Sequence, residues 1–214
     1  DLFKKLVPNE CLGSNWSEQP DLAPTVWAIV AHFNNVKKCV TSTIFRPQQL
    51  KPQQRAKIIE KWIDVAQECR ILQNFSSVRA ITSALQLNNV FKLQKTWAAV
   101  SKSRKTTFEE LSNIFSEEDN FMASRQLLMQ DGASKFAALD STLKENKILT
   151  HKTLKVTKKK GIVQGIVPYL GIFFTDLTKL DSAFPNYRFN GLINFDKRRK
   201  LVRKIALCKM FGIV

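Results

Sequence analysis

The chain has 214 residues, of which 44% are hydrophobic; it contains seven glycines and seven prolines and carries a net charge of +16. This apolar content can fill a folded core and excludes a disordered chain, and so few turn-forming residues argue against an all-β protein. The longest near-apolar run, residues 161–174, falls short of the about 20 residues that a membrane-spanning helix needs.

The positive charge is concentrated at the C-terminal end. Residues 144–214 hold 16 basic and four acidic side chains, whereas residues 1–143 hold 18 basic and 14 acidic ones. Such a density of cations attracts acidic proteins, anionic lipid headgroups or nucleic acids, and the composition alone does not choose among them.

The cysteines give no sign of a metal site. None of the four cysteines forms a CxxC pair, and only two histidines accompany them, so we expect reduced thiols and no zinc. The chain also lacks a P-loop and a GxGxxG motif, and we expect no cofactor.

Apolar residues spaced three and four apart predict a series of helices along the first 130 residues. The predicted segments, in chain order, are 2–7, 26–44, 55–73, 78–87 and 116–130. Trp62 lies on the apolar stripe of the third segment and is predicted to be part of the core. Asn74 or Ser76 is the expected N-cap of the fourth. Thr106 and Thr107 each precede a glutamate at capping-box spacing, which predicts a helix start there.

Residues 140–160 differ from the segments before them. They are rich in charge and end in Lys158-Lys159-Lys160 without a helical stripe, so we interpret them as a mobile basic loop within the domain. A nuclear localisation or nucleic-acid-binding tract is the alternative. Since no period-two pattern is long enough for a sheet, the chain is predicted to be all-α, with about ten helices.

Residues 171–184 form an amphipathic pattern. At about 100° per residue, Phe173, Leu177, Leu180 and Phe184 share one face. The hydroxyl and ammonium groups of Thr175, Thr178, Lys179 and Ser182 lie opposite, beside Gly171. An ordinary surface helix is one interpretation of this pattern, and a helix that presents its polar face to a partner is the other.

A second helix is predicted after Asn194 or Asp196, either of which can cap it. Its expected apolar stripe consists of Leu201, Val202, Ile205 and Cys208. Six cations between residues 197 and 204 lie in its first half, where they oppose the helix macrodipole. Cations at the N-terminal end of a helix are unfavourable, so their presence indicates acidic neighbours or an acidic partner. The alternative is that the cations are simply solvated.

Several motifs occur together in a characteristic order. They are Cys11-Leu12-Gly13-Ser14-x-Trp16-Ser17, Glu68-Cys69-Arg70-Ile71-Leu72-x-Asn74-Phe75-Ser76-Ser77, Ser83-Ala84-Leu85-Gln86, Lys95-Thr96-Trp97, Ser134-Lys135-Phe136-Ala137, Pro168-Tyr169-Leu170-Gly171 and Thr175-Asp176-Leu177. In these motifs the chain closely resembles the catalytic domain of Ras-family guanine nucleotide exchange factors, the RasGEF domain. Within that family it is most similar to the Ral guanine nucleotide dissociation stimulator group. The resemblance covers nearly the whole chain.

The resemblance implies a single all-α bowl over residues 1–214 with a protruding helical hairpin and its supporting helix at 171–213. Such a hairpin wedges beside the nucleotide site of a small GTPase and promotes GDP release without covalent catalysis. Ral is the expected partner, with Rap and Ras as less favoured ones. The other interpretations are a catalytically silent module that binds a GTPase or scaffold, and a nucleic-acid binder, which the lack of aromatics interleaved with the basic runs disfavours.

The resemblance also implies roles for particular residues. The residues expected to face the opened nucleotide site are Thr175, Thr178, Lys179, Asp181 and Ser182, with Asp181 as the candidate for repelling phosphate. The residues expected to contact the GTPase elsewhere are Lys92, Asn120, Arg125, Tyr169, Leu170, Phe174 and Asp176. Of these, Tyr169, Leu170 and Phe174 would meet either switch II of the GTPase or the base of the hairpin. Lys92 lies where relatives often carry an arginine. A lysine ammonium cannot make the bidentate contact that an arginine guanidinium makes with a partner.

The chain departs from the family pattern in three places. Ras-directed relatives have a leucine near the position of Thr178 and a glutamate near that of Ser182. This chain has neither residue, so it is not expected to fill the GTPase site with a leucine or to repel ligands there with a glutamate. The family domain usually has a further helix before Asp1 that packs on the core. Its loss is expected to destabilise or silence the chain, particularly where an N-terminal segment braces the hairpin. The 140–160 segment also differs. We expect a cytoplasmic protein whose basic residues make peripheral contact with anionic membranes.

Overall fold

The computed structural model describes residues 2–13, 15–46, 49–129 and 166–212, with side chains of the last segment described to residue 206. Within these ranges the regular secondary structure is helical, and β-pairing is limited to two isolated bridges, Asn74 with Val167 and Tyr187 with Ile193. The prediction of an all-α fold is therefore confirmed. The predicted basic loop at 140–160 lies outside the described residues.

The helices follow the predicted order. They are α1 (Leu2–Lys5), α2 (Asn15–Glu18), α3 (Pro24–Phe45), α4 (Pro52–Ile71), α5 (Phe75–Leu85), α6 (Asn88–Phe91), α7 (Gln94–Ala99), α8 (Lys102–Asn113), α9 (122–129), α10 (Leu170–Ala183) and α11 (Phe195–Gly212). Short 3-10 turns occur at Pro8–Cys11, Pro20–Leu22 and Glu118–Asn120. No described helix combines the length and the apolar character needed to cross a bilayer.

Helix α5 is the centre of the core. It packs against α3, α4 and α8, and none of its residues is exposed. Its buried side chains include Val78, Ile81 and Leu85. The Asn74 carboxamide oxygen accepts a hydrogen bond from the Ser77 N–H at 3.1 Å, which confirms Asn74 as the N-cap.

Two helix starts are stabilised by side chains from distant parts of the chain. The buried Glu10 carboxylate accepts the Val26 N–H at 3.0 Å in the first turn of α3. The Glu60 carboxylate of α4 accepts the Ser101 N–H at 2.8 Å at the start of α8, and this hydrogen bond holds the pKa of Glu60 below its ordinary value. These contacts satisfy backbone donors that helix ends leave free.

The predicted helix start near Thr106 is wrong. Thr106 and Thr107 lie inside α8, where their hydroxyls donate to the carbonyls of Lys102 and Ser103, each at 3.2 Å. A Thr-x-x-Glu spacing also fits a helix interior, where threonine bonds back to the preceding turn. The true start at Ser101 depends on Glu60, 41 positions earlier in the sequence, and local spacing cannot reveal it.

The predicted helix 116–130 is divided. The Glu118–Asn120 turn comes first, and α9 begins only at residue 122. Asn120 and Phe121 separate the two because both adopt left-handed φ angles, of 58° and 62°. The Ser116 hydroxyl accepts the Glu118 N–H at 3.3 Å, so it stabilises this turn rather than a helix.

Trp62 is at the edge of the core instead of inside it. The buried face of α4 consists of Ala56, Ile59, Ile63 and Ala66, while Trp62 is half-buried and its ring N–H donates to the Thr43 hydroxyl at 2.8 Å.

We expect Trp62→Ala to lower the free energy of unfolding by about 1–2 kcal/mol in urea denaturation, and Ile63→Ala to lower it by about 2–5 kcal/mol. Equal losses would contradict this assignment.

Candidate functional site

Helices α10 and α11 pack against each other as a hairpin. The connection between them is a folded turn. The Arg188 N–H donates to the Leu192 carbonyl at 2.7 Å, and the Gly191 N–H donates to the Arg188 carbonyl at 2.9 Å. Gly191 has a φ of 76°, a conformation that glycine adopts without the steric cost other residues pay.

An ion cluster around Asp176 fastens α10 to both neighbouring helices. The buried Asp176 carboxylate accepts two hydrogen bonds from Arg125 of α9, at 2.9 and 2.8 Å, and one from Lys204 of α11, at 2.8 Å. Burial raises the pKa of Asp176, but the hydrogen bonds and charges of Arg125 and Lys204 outweigh it, and the pKa lies below its ordinary value. The cluster therefore holds one anion between two cations on three helices.

A second ion pair connects α10 to α11 near the turn. The Lys197 side chain is only 2% exposed, and its ammonium contacts the Asp181 carboxylate at 2.7 Å and the Asp181 carbonyl at 3.1 Å. The Asn194 side-chain oxygen accepts the Lys197 N–H at 3.2 Å, which identifies Asn194 as the cap of α11. Asp181 therefore presents a carboxylate that is already neutralised.

Two of the six cations of α11 have the acidic neighbours that the sequence indicated, one lies over an aromatic ring and three are exposed. Lys197 and Lys204 are paired with Asp181 and Asp176, and the Lys200 ammonium lies 3.9 Å from the centre of the Phe184 ring. Arg198, Arg199 and Arg203 are exposed. The unfavourable interaction of these cations with the helix macrodipole is thus offset by contacts within the hairpin.

The buried stripe of α11 is narrower than predicted. Leu201 and Ile205 are buried, but Val202 is 61% exposed, because it lies about 100° around the helix from Leu201. The stripe of α10 is wider than predicted and includes Ile172, Phe174 and Asp176. The cause is that α10 is covered by α11 on one side and by the core on the other. The Cys208 side chain lies outside the described part.

The exposed face of α10 carries the polar side chains of Thr178, Lys179 and Ser182, with Ala183 at its end. The Thr178 hydroxyl donates to the Phe174 carbonyl at 2.9 Å, and the half-buried Thr175 hydroxyl donates to the Gly171 carbonyl at 2.8 Å. The Lys179 ammonium donates to the Asn120 side-chain oxygen at 3.1 Å. This face is therefore polar and accessible, while Thr175 lies at its edge.

The base of the hairpin is an aromatic cluster. Tyr169 stacks on Phe33 with ring centres 5.5 Å apart and contacts Phe115 edge-on at 6.0 Å. Its ring occupies the space that a Cβ on Gly171 would need, so any larger residue at position 171 would require the Tyr169 ring to move. Phe174 stacks on Trp16 at 4.6 Å, and Leu170 is buried beside it.

The structure brings Asn120 and Arg125 into contact with the hairpin. The Arg125 guanidinium donates to the Asn120 carbonyl at 2.7 Å as well as to Asp176. Lys92 is exposed at the end of α6, a helix that packs on α5. Phe174, Leu170 and Asp176 are buried within the domain, so they offer little surface to a partner in this conformation.

The sequence interpretation missed an apolar cluster at the turn. Tyr187, Phe189, Leu192, Ile193 and Phe195, called here the apolar tip, are all exposed large hydrophobics. The dipeptide Asn190-Gly191 between alternating hydrophobic residues is a strong hairpin signal, and it would have located this turn. The pairings of Lys197 and Lys204 were also missed, and no local pattern indicates them.

These features define a class of protein: an all-α domain that holds a two-helix hairpin on its surface with buried ion pairs. No group of side chains suited to a metal ion occurs among the residues that the structure describes. The candidate site is the exposed polar face of α10.

The chain belongs to the RasGEF domain family, whose model matches residues 1–199. It is 56% identical to human (Homo sapiens) "Ral guanine nucleotide dissociation stimulator-like 1" over 98% of this chain and 28% of that protein. It is 43% identical to mouse (Mus musculus) "Ral guanine nucleotide dissociation stimulator-like 3" over 94% of this chain and 27% of that protein. The chain thus spans little more than a quarter of the length of these relatives.

Proposed function

We propose that this chain promotes GDP release from a small GTPase of the Ras family, with Ral as the first candidate. The RasGEF family match over residues 1–199 carries the proposal. It includes the whole of α10 and the turn that follows. The names of the similar proteins, Ral guanine nucleotide dissociation stimulator-like 1 and 3, favour Ral over Rap and Ras.

The proposed mechanism is stabilisation of the nucleotide-free GTPase. A protein that binds this form more tightly than the GDP-bound form must weaken GDP binding by the same coupling free energy. No nucleophile or general base takes part. A hairpin whose arms are already fixed by the Asp176 and Lys197 ion pairs loses little conformational entropy when it inserts.

The exposed face of α10 is the part of the hairpin proposed to enter the GTPase. Thr178 and Ser182 can donate or accept hydrogen bonds there, and Lys179 can donate them once it releases Asn120. Asp181 contributes less phosphate repulsion than its formal charge implies, because Lys197 neutralises it. Displacement by shape and hydrogen bonding is therefore the favoured mechanism.

The test is release of a fluorescent GDP analogue from Ral, Rap and Ras, each with and without this chain. Faster release from Ral alone is the expected result. Binding of the GTPase without faster release would instead identify a catalytically silent module. No binding to any of the three GTPases would contradict the proposal.

Charge reversal at Lys179 should separate exchange from folding. Lys179→Glu is expected to slow Ral exchange about tenfold, because a charge inside the interface is inverted. Its stability should fall by less than about 1 kcal/mol, since the side chain is exposed. Lys61→Glu, an exposed reversal on α4, is the control and should leave exchange unchanged. Equal exchange rates for both variants would show that this face of α10 is not the inserting surface.

A further inference from the structure

The C-terminal end of α10 lacks the usual local cap. An α-helix leaves its last carbonyls without partners inside the helix, and a glycine just after the helix or a cation in its last turn commonly compensates for this. α10 has no basic residue in its last turn, and Phe184, with an extended backbone, follows it instead of glycine. The carbonyls at this end are therefore open to partners from outside the helix.

Lys197 of α11 provides such a partner. Its ammonium donates to the Asp181 carbonyl at 3.1 Å and contacts the Asp181 carboxylate at 2.7 Å. A cation at the C-terminal end of a helix also interacts favourably with the helix macrodipole. The cap of α10 is thus supplied by a side chain 16 positions further along the chain.

Asn194 connects the same two helix ends from the other side. Its side-chain oxygen accepts the Lys197 N–H at 3.2 Å, and its side-chain nitrogen donates to the Pro185 carbonyl at 3.0 Å. Asn194 is 8% exposed, so these hydrogen bonds are shielded from water. The segment that begins α11 therefore also holds the end of α10.

The burial of Lys197 leaves this contact little freedom. Lysine is almost never fully buried unless it is paired, and Lys197 is among the largest fully buried side chains of the described residues. A shift of its ammonium away from Asp181 would leave a buried charge without compensation, which is strongly unfavourable. The position of Asp181 relative to α11 is therefore narrowly defined.

We propose that Lys197 is a positioning residue for GDP release, because its cap fixes the last turn of α10. Ser182 lies on that turn, one helical turn after Thr178, and both are on the exposed polar face. The inference rests on the proposed function, in which this face enters the GTPase. Small errors in the placement of interacting groups cost large factors in rate. Since Lys197 is buried, it acts through α10 and not by contact with the GTPase.

The contact of Lys197 with Asp181 has a second effect, which is neutralisation of the carboxylate. The two effects are separable by substitution. Lys197→Met removes both the cap and the neutralising charge. Adding Asp181→Asn to that variant removes the uncompensated charge but does not restore the cap. Methionine is apolar and similar in length to lysine, and the Asp181 side chain is 37% exposed and can be hydrated, so both variants should fold.

The kinetic test measures release of a fluorescent GDP analogue over a range of Ral concentrations. Lys197→Met should lower kcat about tenfold and change KM by less than about twofold, because the cap acts in the nucleotide-free complex and not in the first encounter. Lys61→Met, the same replacement at an exposed position of α4, is the matched control and should leave both constants unchanged. An unchanged kcat for Lys197→Met would overturn the proposal.

The double variant Lys197→Met/Asp181→Asn should remain as slow as Lys197→Met. Recovery of normal exchange by the double variant would show that Lys197 acts only by neutralising charge, and would overturn the proposal. Thermal unfolding midpoints verify that each variant is folded.

Amide hydrogen exchange of the free chain tests the cap without a GTPase. Lys197→Met should speed exchange of the amides of residues 180–184 about tenfold, since the end of α10 opens more often, while the amides of α5 should be unaffected. Unchanged protection of residues 180–184 would overturn the proposal. If the unmodified chain releases GDP from none of the three GTPases, the proposed function fails, whereas the hydrogen exchange result still decides whether Lys197 fixes this end of α10.

Discussion

Replacing Phe174 with alanine is expected to lower the free energy of unfolding by about 3–5 kcal/mol, which is among the largest effects for any single residue of the hairpin. Phe174 is 7% exposed and stacks on Trp16 with ring centres 4.6 Å apart and planes within 9° of parallel. Truncation leaves a cavity and removes a stacked aromatic pair, itself a contribution of about 0.5–1.5 kcal/mol. Urea denaturation monitored by circular dichroism measures the loss.

The control for this substitution is Phe91→Ala. Phe91 is 65% exposed, and its truncation should change stability by less than about 0.5 kcal/mol. The pair also distinguishes packing from partner contact at Phe174. A Phe174→Ala variant that keeps its stability but loses GDP release would show that Phe174 contacts the GTPase directly. Phe174→Leu should recover most of the stability, because it restores much of the lost volume.

Asp176→Asn is expected to lower the free energy of unfolding by about 2–3 kcal/mol at neutral pH. Breaking a buried ion pair by removing one partner typically costs about 3–5 kcal/mol. The cost is smaller here because the side chains of Arg125 and Lys204 are 26% and 37% exposed and gain hydration. Exchange should slow as well, since α10 loses its bonds to α9 and α11.

The pH dependence follows from the lowered pKa of Asp176. A carboxyl whose pKa is lower in the folded than in the unfolded state stabilises the fold above its unfolded pKa, about 3.9. That contribution is lost as the pH falls through the folded value. The stability difference between the unmodified chain and Asp176→Asn should therefore be constant from about pH 5 to 7 and shrink below about pH 4. A difference that persists in acid would show that packing, not charge, is lost.

The matched control is Asp64→Asn. Asp64 also accepts two hydrogen bonds from an arginine, Arg104, at 3.0 and 3.3 Å. Both side chains are more than 40% exposed, so this pair should contribute less than about 1 kcal/mol. If Asp64→Asn and Asp176→Asn destabilise the chain equally, burial is not what gives the Asp176 cluster its strength.

Helices whose signals are local could be predicted from the sequence. The apolar spacing in α3, α4 and α5 depends only on residues three and four apart, and Asn74 caps α5 through a bond to the nearby Ser77. The helix start predicted from the capping boxes at Thr106 and Thr107 was wrong, because the same local spacing also fits a helix interior. The prediction that Trp62 is part of the core was too strong. Periodicity identifies one face of a helix, whereas the neighbouring helices decide how deeply each residue of that face is buried.

The candidate site could be located on α10 from the sequence, but its electrostatics could not. Thr178, Lys179 and Ser182 are exposed as the helical wheel predicts. Asp176 was expected to contact a partner and Phe174 to contact either a partner or the base of the hairpin, and the structure places both in contacts within the domain. A wheel considers one helix alone and cannot include α9, α11 and Trp16, which approach α10 from other parts of the chain.

The sequence by itself determined the fold class, the order of the main helices and the polar face of α10, because each depends on spacing along the chain. Its motifs also indicated the RasGEF family. Only the tertiary structure decided which charges are paired. Asp176 meets Arg125 across 51 positions and Lys204 across 28, and Lys197 meets Asp181 across 16. Such pairings depend on how helices pack in space, and the packing brings together residues that no local pattern relates.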